Sequence, residues 1–134
     1  MKNLKQTCIF LIVAFFAMSA ISGDMEEADE AFKRNDYQIA LKKYKLAAEK
    51  GNSMANIRLG NIYESGLGVN QDLSEGFRYY KIAASQGHIL GFVFVSVMLE
   101  NGQGVEKNLA EAEKWKKSAR LCLDKNSINC EIPN

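Results

Sequence analysis

Apolar residues return every three or four positions through most of this 134-residue chain, the spacing of helices that bury one face. Ala55, Leu59 and Tyr63 recur at intervals of four. Phe77, Tyr80, Ala83 and Ala84 continue the pattern up to Gly87. Between the two runs, Gly66 and Gly68 stand where a helix can end at little cost, and Asp72 is placed to cap the next one. The single proline is Pro133, so no interior run loses its hydrogen-bond ladder. The pattern predicts an all-α fold. One stretch departs from it: GFVFVSVML, Gly91 to Leu99, is apolar almost throughout and by composition reads like a buried strand.

The first residues follow a different pattern. Lys2 and Lys5 precede an apolar run from Cys8 to Met18, which is too short to span a bilayer and has the length of a signal-peptide core. Small residues at Ala17/Ser19 and Ala20/Ser22 allow cleavage. We expect a leader over residues 1–22, removal near Ser22, and a periplasmic or secreted product with no membrane span of its own. An uncleaved anchor is the alternative. Cleavage takes away two lysines and no acid, leaving 15 Lys+Arg against 16 Asp+Glu and no electrostatic case for nucleic acid. It also removes Cys8, so Cys122 and Cys130 remain as an even pair, bridged or reduced, in a compartment where disulfides persist.

An internal repeat organises the rest. Gly66-Leu67-Gly68-Val69 returns as Gly102-Gln103-Gly104-Val105, an offset of 36 that also lays Tyr44 to Gly51 on Tyr80 to Gly87. Each unit reads as two helices with small residues at Gly60, Ala83 and Ala84 for close approach. A hairpin of this kind cannot bury its face alone and must stack on its neighbours. The register also places GFVFVSVML on the first helix of the third unit, despite its valines.

The motif Ala-x3-Leu-Gly-x2-Tyr, then Gly-x-Gly-Val, then Tyr-x2-Ala-Ala-x2-Gly, from Ala55 to Gly87, resembles the Sel1-like repeat, a relative of the tetratricopeptide repeat. A degenerate copy runs from Ile89 to about Leu123. The first unit lacks the Gly-x-Gly turn and is more similar to an ordinary tetratricopeptide hairpin. The resemblance implies a short right-handed solenoid of about three antiparallel hairpins (24–51, 52–87, 88–123) with a C-terminal cap over 124–134. It also implies a Cys122–Cys130 bridge pinning that cap, a loop short enough for the bridge to contribute about 2–3 kcal/mol.

Catalytic chemistry is thin. No serine-nucleophile, zinc-protease or phosphate-loop motif occurs. His88, the sole histidine, follows a helix-ending glycine and is expected in a solvated loop or C-cap. No metal site and no cofactor are expected, since two cysteines and one histidine are too few ligands. Asp24 to Glu30 carry five acids in seven residues, a solvated helix start that the helix dipole favours or an acidic rim for a basic partner.

Helical geometry then isolates one stripe. At about 100° per residue, Leu90, Val93 and Val97 fall opposite the core side centred on Val95, with Phe94 at their flank. One repeat earlier the stripe is Met54, Ile57 and Asn61, flanked by Arg58. In tetratricopeptide-like solenoids this face lines the concave groove, so the resemblance implies a partner site with a floor of Met54, Ile57, Leu90, Val93 and Val97, flanked by Phe94 and rimmed by Arg58, Asn61, Glu64 and Glu100. The same stripe is open to coverage by the chain's own C-terminus or by a second copy as a homodimer. The resulting expectation is an exported, non-catalytic module that binds a protein partner. The resemblance suggests an immunity protein against a secretion-system effector, or an envelope adaptor. The alternative it suggests is a penicillin-binding or β-lactam-hydrolysing enzyme, for which the serine motifs are missing.

Overall fold

The computed structural model describes residues 23–125 and Ile132. The expected leader lies outside the described residues, as do Cys130 and most of the expected C-terminal cap. Among the described residues run six helices and no strand: α1 over 23–33, α2 Tyr37–Glu49, α3 Ser53–Ser65, α4 Leu73–Ser85, α5 Ile89–Asn101 and α6 Leu109–Asp124. They pair as three hairpins, and consecutive helices pack on one another.

Local chemistry sets the helix ends. The side chains of Asn52, Asp72 and Asn108 accept from the backbone N–H of Ala55, Glu75 and Glu111 at 3.1, 2.9 and 3.0 Å. Each cap satisfies one of the orphan donors of a helix start. At the other ends of α3 and α5, Gly66 and Gly102 take left-handed caps. The glycines two residues on do a second job. A Cβ on Gly68 would lie 2.5 Å from the Cβ of Tyr37, and one on Gly104 would lie 2.2 Å from the carbonyl oxygen of Leu73. Each Gly-x-Gly loop therefore rests on the first residue of the preceding hairpin's second helix.

Two apolar clusters make the core. Ala28, Tyr44, Leu59, Ile62 and Tyr79 join the first hairpin to the second, while Ile57, Tyr80, Phe92, Val95, Leu99 and Trp115 join the second to the third. The middle hairpin thus buries residues in both directions, as stacking requires. GFVFVSVML is helical here because packing outweighs propensity. Three valines cost about 2 kcal/mol at most relative to Ala. Burying Phe92, Val95, Met98 and Leu99 contributes about 1.5–3 kcal/mol each. Gly91 seats the helix: a Cβ there would lie 2.4 Å from the backbone nitrogen of Ala84.

His88 is neither solvated nor a C-cap. It is 6% exposed and forms the N-cap of α5, its Nδ1 accepting from the N–H of Leu90 at 3.2 Å. Acceptance at Nδ1 requires a neutral ring protonated at Nε2. Burial holds the imidazole below its ordinary value of 6.5.

Gly91→Ala should lower stability by about 1–3 kcal/mol, because its contact is backbone and cannot move aside; urea unfolding followed by circular dichroism measures this. The depressed histidine sets a second expectation. In the unfolded chain His88 takes up its proton first as pH falls, so its contribution is present above about pH 6.5 and lost as pH falls through the lower folded value. The unfolding midpoint should drop between about pH 7.5 and 5.5, and His88→Asn, which keeps a cap acceptor, should flatten that slope.

Candidate functional site

The first helices of the hairpins, α1, α3 and α5, carry one polar contact repeated in register. Tyr44 of α2 donates to Asp29 Oδ1 of α1 at 2.6 Å. Thirty-six residues on, the hydroxyl of Tyr80 lies 2.6 Å from both Glu64 Oε2 and Asn61 Oδ1 of α3. Tyr80 has one proton, which goes to the Glu64 carboxylate, so the Asn61 amide turns its NH2 toward the phenol oxygen. Another 36 residues on, Lys116 of α6 pairs with Glu100 of α5. Burial, reinforced by the acids beside them, pushes both tyrosine hydroxyls well above their ordinary range, so they stay protonated donors. Asn61 and Asp29 are 32 rather than 36 apart because the loop between α1 and α2 is four residues shorter than that between α3 and α4.

That row places the expected site residues. Asn61 and Glu64 hold Tyr80, and Glu100 holds Lys116. Phe94 stacks on the Tyr80 ring with centroids 4.4 Å apart. Arg58 reaches Asp29 at 3.4 Å, and its buried Nε makes no hydrogen bond. Met54 is half-buried against the core. Leu90, Val93 and Val97 stand open at 38, 40 and 41% exposure. Ile57 departs from the expectation. It is 3% exposed and belongs to the core, because the third hairpin covers it. Val93 occupies the same register position one repeat later, where no described hairpin follows.

The row also explains why the stripe turns apolar. Val97 stands where the first two hairpins have Asp29 and Asn61, each hydrogen-bonded to a tyrosine of its own second helix. The third hairpin satisfies its lysine through Glu100 instead, which frees the Val97 position from any polar duty.

Polar groups on this face are engaged within the fold. Glu64 and Glu100 are tied to Tyr80 and Lys116, and His88 is spent on a helix cap. Among the described residues there is no cluster of three or more groups able to hold a metal, and no helix long and apolar enough to cross a membrane.

Sequence reading missed Asp29, Tyr44, Tyr80 and Lys116 as parts of this face. The 36-residue identity of Tyr44 and Tyr80 was the available signal. It also missed a cleft of about 310 Å³ on the opposite side, between α2 and α4, with Leu59 and Asn56 of α3 among its lining residues. There Tyr63 and Tyr79 stack at 5.5 Å, with Lys45 over one ring and Arg78 over the other. Arg78 is clamped by both carboxylate oxygens of Glu75, so this cation is internally engaged.

A model of the Sel1 repeat family matches three successive stretches, residues 25–52, 53–88 and 90–120. Among solved structures, a Sel1 repeat protein from Oxalobacter formigenes is similar with a TM-score of 0.70 and 26% identity, covering 84% of this chain and 88% of that one. A protective antigen present in uropathogenic Escherichia coli strains has a TM-score of 0.73 and 28% identity over 75% of this chain; the match spans 22% of that longer chain. Helicobacter pylori cysteine rich protein B shares the fold, with a TM-score of 0.63 and 22% identity over 76% of this chain and 87% of its own. No curated protein matches the sequence.

Proposed function

The chain belongs to the Sel1 repeat family, whose hairpins form protein-interaction modules, and from that premise we propose that it holds a protein partner on the face of its first helices. One observation carries the reading: Leu90, Val93 and Val97 are open on the helix whose other side is fully buried. An exposed apolar row flanked by Arg58, Asn61 and Glu100 has the composition of an interface centre with a polar edge. The stacked Tyr80–Phe94 pair beside it supplies a rigid aromatic wall.

The role we infer is non-catalytic and exported. The basic start and short apolar run of residues 1–22 support export to the periplasm or beyond. In that compartment Cys122, fully buried in α6, pairs with Cys130 in a bridge. A module of this size can occlude one surface of standard interface area, which suits an immunity protein neutralising a secretion-system effector, or an envelope adaptor. A gene for a large effector beside this one would favour the former.

Val97→Glu should leave the helical signal intact and change stability by no more than about 0.5 kcal/mol, as at an exposed site, while abolishing partner capture from envelope extract. Capture unchanged by that substitution, or by Val93 and Val97 replaced together, would refute the site. Fractionation, with the intact mass of the exported chain, checks the localisation and the leader.

A further inference from the structure

Away from the apolar row of α5, a cleft of about 310 Å³ lies between α2 and α4. That volume is at the lower end of the range for small-molecule sites, about 300–1,000 Å³. Three helices build it: α2 contributes Lys45 and Glu49, α3 contributes Asn56 and Leu59, and α4 contributes Tyr79 and Ile82. Tyr79 is held by the stacked ring of Tyr63, with centroids 5.5 Å apart, and by the Arg78 guanidinium 4.3 Å from its centre. With Leu59 and Ile82 it gives the cleft an apolar wall on fixed elements.

The polar groups around that wall have bonding capacity to spare. Asn56 is 2% exposed. Its Nδ2 donates to Gln86 Oε1 at 3.2 Å and to the Asn52 carbonyl at 3.5 Å. A carbonyl only accepts, so the amide orientation is fixed, and Oδ1 is left as an acceptor that no described residue meets. Lys45 and Glu49 stand one turn apart on α2, roughly 5–6 Å between their Cβ atoms, and Lys before Glu is the weaker order for a pair at this spacing. The two make no ion pair; Lys45 lies over the Tyr63 ring, 5.8 Å from its centre. Glu49 is exposed and has no charged partner among the described residues. On the Lys45 side the other charges cancel, because Arg78 is held by both oxygens of Glu75. The cleft therefore has one surplus positive group, one surplus negative group a helical turn away, and one unmet acceptor between the helices.

We propose that this cleft binds a free α-amino acid with an apolar side chain, at a site separate from the partner face. Such a molecule holds opposite charges on one carbon, close enough to bridge two groups one turn apart. Its carboxylate meets Lys45, its ammonium meets Glu49, and one ammonium N–H reaches Asn56 Oδ1. The side chain lies against Leu59, Ile82 and Tyr79. A lone carboxylate would leave Glu49 and Asn56 unmet, and a lone amine would leave Lys45 unanswered. Glu49 and Glu75 disfavour a polyanion. A residue inside a peptide has neither charge, so the free form is the one that fits. Because α2 belongs to the first hairpin and α3 and α4 to the second, an occupied cleft ties the two together and raises stability by mass action.

Titration of the isotope-labelled chain with L-leucine, followed by amide and side-chain NMR shifts, tests this. Saturable shifts should appear at Ala48, Ile82 and the Asn56 side-chain amide, with a dissociation constant of about 1 mM or tighter. Leu90, Val93 and Val97 should stay unmoved. The deaminated acid, the decarboxylated amine and the doubly blocked amide of leucine should each bind at least about tenfold more weakly. Glu49→Gln, and Lys45→Met, which keeps an apolar chain over Tyr63, should each weaken leucine binding by a similar factor, with circular dichroism confirming that the helices are kept. The absence of saturable shifts up to about 10 mM, equal binding of a single-charge analogue, shifts centred outside the cleft, or variants that bind like the wild type would each overturn the proposal.

Discussion

The Tyr80 ring fills the notch left by Gly60, where a Cβ would lie 2.3 Å from the ring. Its hydroxyl lies between Asn61 and Glu64, and its outer side stacks on Phe94 of the following hairpin. Three helices are therefore located by one side chain. A tyrosine can do this because its body is apolar and its tip needs a polar partner, so burial and hydrogen bonding set separate coordinates of the same group. Gly60, Glu64 and Phe94 have their meaning only around that ring.

Stacking of this kind makes the molecule nearly one-dimensional. Stability accrues hairpin by hairpin and junction by junction, and each hairpin has an outgoing and an incoming side. The open face of the first helices and the end faces follow from this geometry and need no separate device. A position such as Ile57 or Val93 changes from core to surface according to whether another hairpin follows. A position such as Asp29, Asn61 or Val97 lies on the open face in every hairpin and is free to vary once the second helix finds its polar partner elsewhere. The third hairpin uses that freedom, with Lys116 on Glu100 and a valine in the vacated place.

The repeat, its period and the two-helix unit were legible in the chain because the glycine turns and the tyrosine-alanine runs recur at one spacing. Asp72 as a cap was legible too, since capping is a local effect within four residues. The register even corrected the strand-like composition of GFVFVSVML. His88 was misread in its burial: its place after a glycine suggested exposure, while the residue is 6% exposed in the packed chain, and its capping contact to Leu90 is as local as that of Asp72.

By itself the sequence determined what depends on neighbours along the chain: helix lengths, turns, caps and the phase of each apolar face. The tertiary structure alone decided which of those apolar residues meet something. Ile57 and Val93 are alike in sequence terms and opposite in burial, because coverage is a property of the next hairpin and not of the residue. Likewise Tyr80, Glu64 and Asn61 look like separate features of two helices, and only their packing makes them one contact. Burial and hydrogen bonding between elements act over distances in space that spacing along a chain does not contain.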